Sequence, residues 1–260
     1  MNPGSVPFHL PADRKRILPF QMIRSTPTGD DLTSIKAYRL DDTTNVDLTS
    51  TMLASVRVVE TPNYDVIKYP ATTEFGTAMA DGFWYLRMTD GVQTWETEVF
   101  TIVPDLTNFM KIEFSCDGNL LYTGGHIDYT DGFEQRIYLV AKVSKPKYPI
   151  DIKSEMRQGY EFDKMVTSRK TYFVEFAAPE YLCDVLRTLR NHDNIEITAN
   201  GITYPVFKLI PVIEWTNEGD YAEVELDFEC DTVIHSFGRA KEFTGKDFNN
   251  DFNPDFNAET

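Results

Sequence analysis

The chain has 260 residues, room for one large domain or two of ordinary size, and 42% of them are hydrophobic, enough for a packed core. Its 25 basic and 41 acidic side chains give a net charge of −16, the wrong sign for binding DNA or RNA phosphates or an anionic membrane surface. No run approaches the roughly 18 consecutive apolar residues of a spanning helix, so no membrane insertion is expected.

The 18 Phe and 13 Tyr favour strands over helices. Residues 1–16 read as an extended N-terminal arm. No apolar run follows Arg14-Lys15-Arg16, so no secretory signal is expected. Residues 17–105 read as a first β-sandwich-like domain. Met52, Ala54, Val56 and Val58 alternate with Leu53, Ser55 and Arg57, a strand period. Gly82 to Met88 and Val92 to Val103 flank Thr89-Asp90-Gly91, a hairpin signal that puts Trp84, Leu86 and Met88 on one face.

Pro104-Asp105 marks a boundary. Residues 106–238 read as a second β domain. Lys111 to Phe114 and Arg136 to Val143 are strand-like and flank a polar segment, 115–135. Residues 144–168 show weak periodicity and read as a long excursion; Thr171 to Phe176 resumes as strand. Pro179 to Asn191 is the one helix. Tyr181, Leu182, Val185, Leu186 and Leu189 form its apolar stripe, and Pro179 suits a first turn. Asn200-Gly201 predicts a tight type I′ hairpin between Ile195–Thr198 and Ile202–Phe207. Ala222, Val224, Leu226 and Phe228 alternate with Glu223, Glu225 and Asp227, a half-buried antiparallel strand. The fold class is therefore mainly β: two antiparallel sandwich-like halves, one amphipathic helix at 179–191 and extended arms.

Residues 239–260 read as an extended C-terminal arm. Asp-Phe-Asn occurs three times at a spacing of four, at Phe248, Phe252 and Phe256. Asn, Asp, Gly and Pro254 disfavour a helix there. The three rings are candidate anchors for docking on a neighbouring subunit or a partner protein.

Catalytic and metal signatures are missing, and no cofactor is expected. His9, His126, His192 and His235 match no metal-pair spacing, and Cys116, Cys183 and Cys230 form no C-x-x-C pair. Ser115-Cys116-Asp117-Gly118 reads as a turn rather than a reactive cysteine loop. Asp128-Tyr-Thr-Asp131-Gly132 fails the ligand spacing of a calcium loop. Glu218, Asp220, Glu223, Glu225 and Asp227 read as a solvated strand face.

One resemblance extends over most of residues 15–235. Its marks are Ile17-Leu18-Pro19-Phe20, the Trp84 to Phe100 hairpin, Gly132-Phe133 before Arg136-Ile-Tyr-Leu-Val-Ala141, and Pro146-Lys147-Tyr148-Pro149. Lys170-Thr-Tyr-Phe173, Pro179-Glu-Tyr-Leu182, Leu189-Arg-Asn-His-Asp193, Glu214-Trp215 and Phe228-Glu229 continue it. The chain resembles structural proteins of tailed phages and prophages of Bacteroidetes, the group that includes crAss-like phages. The resemblance implies a non-enzymatic virion component of the tail, neck or fibre-attachment region, made in the host cytoplasm. Other virion proteins and further copies of itself are the expected partners. It carries over no catalytic residue, and the Asp-Phe-Asn tail departs from its pattern. Two alternatives stand beside it. One is a glycan-binding sandwich using Tyr122, Tyr129 or Trp95; the other is a depolymerase-type glycosidase built on a carboxylate pair.

Overall fold

The computed structural model describes residues 9–24, 32–41, 43–61, 63–122, 125–157, 159–215 and 220–236. The chain forms two units, Met1–Lys145 with Tyr172–Cys230, and Pro146–Thr171 with Asp231–Thr260.

The order of elements begins β1 (Leu10–Asp13), β2 (Phe20–Arg24), β3 (Ser34–Arg39), β4 (Asn45–Asp47) and α1 (Thr49–Leu53). It continues with β5 (Arg57–Glu60), β6 (Asp65–Tyr69), β7 (Gly82–Thr89), β8 (Thr94–Glu96), β9 (Phe100–Val103) and β10 (Met110–Ser115). Then come β11 (Asn119–Tyr122), β12 (Gly125–Asp128), a 3₁₀ turn at Thr130–Gly132, β13 (Gln135–Leu139), β14 (Ile150–Arg157) and β15 (Tyr160–Ala178). The last are α2 (Glu180–Leu189), β16 (Asn194–Ala199), β17 (Ile202–Pro205), β18 (Lys208–Trp215) and β19 (Ala222–Ser236). The fold is mainly β and sandwich-like, as the short strands and turn signals predict.

The strand orders are β1-β9-β7-β3-β4 with β8 beside β7, β2-β6-β5, β13-β10-β16-β17, β11-β12 and β14-β15-β19-β18. Apart from the parallel β1–β9 pair, the registered pairs are antiparallel.

Strand β7 shows why the pattern specifies the sheet. Trp84, Leu86 and Met88 are buried on one face, and Ala37 and Ile35 of β3 stand opposite Leu86 and Met88. The indole N–H of Trp84 donates to the Ala80 carbonyl at 2.9 Å, so burying the ring leaves no orphan donor. Asn200 and Gly201 both take positive φ, 52° and 75°, the geometry of the expected type I′ turn between β16 and β17. On β19, Ala222, Val224, Leu226 and Phe228 are buried while Glu223, Glu225 and Asp227 are exposed.

The buried apolar residues form two clusters. The members of one lie between Ala12 and Ile102, and those of the other between Met110 and Phe228. Helix α2 gives the second cluster Leu182, Cys183, Leu186 and Leu189. Pro179 takes the N-cap rather than the first turn.

Four local expectations are corrected. Residues 49–53 are helical, not strand: Met52 and Val56 are four apart, which is also the helical spacing, and the Thr49 N–H is held by the Asp47 carboxylate at 2.9 Å. The N-terminal arm is not free over its described part. β1 pairs with β9, and Ala12 is fully buried. The polar segment 115–135 holds the β11–β12 hairpin and the buried Asp128, Tyr129 and Phe133. The excursion at 144–168 is mostly a two-stranded hairpin, β14 with β15, whose register shifts between Lys153 and Ser154.

Candidate functional site

The sequence signals nearest to chemistry meet in one place. Cys116 follows β10, and His192 and Asp193 follow α2, so the topology brings together the residue types of a nucleophile, a base and an orienting acid. Their contacts do not make a relay. The Cys116 thiol faces the Asn191 carbonyl at 3.7 Å, and burial pushes its pKa up, away from thiolate. The His192 Nδ1 lies 2.9 Å from the Thr188 carbonyl, an acceptor only, so Nδ1 carries the proton. Its Nε2 then accepts from the Tyr129 hydroxyl at 2.6 Å. Burial lowers the His192 pKa and raises that of Tyr129, so the neutral pair is favoured. Asp193 accepts the Asp117 N–H at 3.1 Å, and both imidazole nitrogens already have other partners. The cluster fastens the turn after β10 to the end of α2.

Asp128, from the segment that superficially resembles a calcium loop, already has a cation. The fully buried Lys68 of β6 donates to the Asp128 carboxylate at 3.2 Å and to the Thr130 hydroxyl and carbonyl at 2.9 and 3.2 Å. Three acceptors match the three ammonium donors. Gln21 closes the joint, donating to the Asp128 carbonyl at 2.6 Å and accepting its N–H at 2.9 Å. A second buried group joins Arg24 to Asp65 at 2.5 Å and to Asp90 at 3.6 Å. Sequence reasoning missed both groups, because a strand lysine or arginine carries no mark of its buried partner. Among the described residues, no three of His, Cys, Asp and Glu gather as metal ligands, and no helix is long and apolar enough to cross a membrane.

A glycosidase acid needs a carboxyl raised toward neutrality. Asp128, Glu113 and Asp90 are shifted the other way. Burial would raise Asp128, but hydrogen bonds from Thr130 and Lys68 outweigh it and hold the group low. Glu113 is held low against burial by Lys111 and Arg136, and Asp90 by the backbone N–H groups of Gln93 and Val92. Of the aromatic candidates for stacking on a sugar, Tyr129 is buried and Trp95 packs partly against a core. The side chain of Tyr122 lies outside the described residues.

Surface chemistry is concentrated elsewhere. Among the described residues, six of the twenty exposed large hydrophobic ones fall in the segment 146–171, a tenth of the chain: Tyr148, Ile150, Ile152, Met156, Tyr160 and Phe162. In β14, Ile150, Ile152, Ser154 and Met156 share one face. Those three apolar residues are 61%, 56% and 67% exposed. The segment also reverses the charge of the chain. It holds six Lys or Arg and four Asp or Glu, net +2, against −16 overall. The candidate anchors Phe248, Phe252 and Phe256 lie outside the described residues.

No family model matches the chain, and neither a curated protein nor a solved structure matches it.

Proposed function

We propose that the chain is a non-enzymatic structural subunit of a tailed-phage particle, in the tail, neck or fibre-attachment region, working as a symmetric homo-oligomer with other virion proteins. The observation that carries the reading is the hairpin of β14 and β15. β14 is the end strand of the order β14-β15-β19-β18, and it displays an apolar row where an exposed end strand would carry polar or charged residues. A partner surface resolves that conflict. The net charge of −16 fits a particle wall that repels packaged DNA and lets it slide rather than stick. The sequence resemblance supplies the setting.

Mass spectrometry of purified virions tests the reading. The account expects the protein at a fixed copy number in the particle and in a ring of density in a reconstruction. Its absence from washed particles, with the protein present in the infected lysate, would contradict it.

A further inference from the structure

The hairpin and the C-terminal repeat match in length and are opposite in charge. From Tyr148 through Ile150 and Ile152 to Met156 the exposed apolar row spans nine residues, eight steps of the chain, at alternate positions. From Phe248 through Phe252 to Phe256 the repeat also spans nine residues, eight steps, with the rings at every fourth position. In an extended chain each row lies on one face and runs about 27 Å, at roughly 3.4 Å per residue. The hairpin segment 146–171 carries +2, whereas residues 243–260 hold one Lys and four Asp or Glu, net −3.

We propose that the hairpin receives the C-terminal segment of a second copy of this chain, resting on the oligomeric reading above. The segment adds as a strand beside β14, an end strand in its sheet order. Added there, Phe248, Phe252 and Phe256 become same-face neighbours of Ile150, Ile152 and Met156.

Pro254 fixes the parity of the pairing. It has no N–H, so its position must point away from β14. Residues of equal parity direct their N–H groups to the same side of a strand, so Asp251, Asn253 and Asp255 turn theirs toward β14. The phenylalanines share Pro254's parity and need no ladder bond from their N–H groups. The described residues leave the apolar row uncovered, and the segment of a second copy, opposite in charge to the hairpin, is the occupant. Such a contact joins different patches on the two copies, the head-to-tail kind that builds a ring when its rotation closes.

Two full-length variants test this. One carries Ile150→Ser and Ile152→Ser, both at exposed positions; the other carries Phe248→Ala, Phe252→Ala and Phe256→Ala. Mass photometry should show the wild type self-associating. Each variant alone should be monomeric, with its melting temperature unchanged. Mixed, the two should form heterodimers, because one supplies the intact tail and the other the intact hairpin. A labelled peptide of residues 241–260 should bind the phenylalanine variant and fail to bind the isoleucine variant.

A monomeric wild type, undiminished association of either variant, or no complementation on mixing would overturn the proposal. Lack of complementation with peptide binding retained would show that the tail docks within its own chain. These outcomes are read on purified protein. A failed docking therefore leaves the virion reading standing, while absence from particles sinks that reading by itself.

Discussion

Strand β19 from Ala222 to Phe228 and strand β14 from Ile150 to Arg157 carry nearly the same text. Each alternates apolar or small residues with charged ones. In β19 the apolar positions are buried and the acids face solvent. In β14 the acids and Lys153 occupy one face, and the apolar face is open as well. Alternation tells a reader which side of a strand is apolar; it does not say what covers that side. Burying an aliphatic or aromatic side chain contributes about 1.5–3 kcal/mol. β19 gains that stabilisation inside one chain, and β14 has it still to gain.

The sharpest test of the contrast is one substitution made twice. Leu226→Asp should prevent soluble folding, since it places an unpaired charge in the core, a cost above about 4 kcal/mol. Ile152→Asp makes a comparable change on β14 and should leave the melting temperature of the dilute protein unchanged. So should Glu225→Lys on the wet face of β19. If Ile152→Asp also unfolds the protein, the hairpin is covered in solution and the contrast fails.

A smaller loss is expected where polar chemistry, not apolar area, joins the segments. Lys68→Met leaves the Asp128 carboxylate buried without its cation and should cost about 3–5 kcal/mol in urea unfolding. Adding Asp128→Asn should recover much of that loss, because no charge is then stranded. A double variant as unstable as the single one would show that the loss came from packing.

Acid gives a graded version of the test. The folded-state pKa of His192 is lowered by burial, so the unfolded chain takes up the proton first. Its stabilisation is complete above the unfolded value of about 6.5 and declines as pH falls toward the folded value. Asp128 and Glu113 are also lowered, and their contribution declines only below about pH 4. Unfolding midpoints between about pH 7 and 5 should therefore fall in the wild type and fall less steeply in His192→Gln, where His9, also lowered by burial, still contributes. An equal slope in both would assign the decline to other groups.

The smallest expected effect on stability is none. Removing residues 243–260 should leave the melting temperature unchanged and abolish incorporation into particles. A truncated chain that enters particles normally would reduce the tail to a passive end.

Much of the body was legible because its signals are local. Trp84, Leu86 and Met88 on β7, the Asn200-Gly201 turn and Leu182, Leu186 and Leu189 of the α2 stripe follow from period and turn chemistry, whereas Tyr181 of that stripe is exposed. The failures have local causes too. Met52 and Val56 are spaced by four, which suits a strand or a helix, and the Asp47 and Thr49 contacts favour the helix at 49–53, while Val58 lies in β5. The alternation of β14 stood in the text, but Ser154 interrupts the apolar row and a register shift breaks the match with β15. Lys68 and Asp128 are 60 residues apart, and no local pattern joins them.

Hydrogen exchange on the full chain, dilute and assembled, measures the central claim directly. The account predicts that in dilute protein the amides of Ile150–Arg157 exchange far faster than those of Ala222–Phe228. On assembly the β14 amides should slow by at least an order of magnitude while those of Ala222–Phe228 hold their protection. Equal protection of both strands in the dilute monomer, or a β14 that stays unprotected in the assembled particle, would contradict the account.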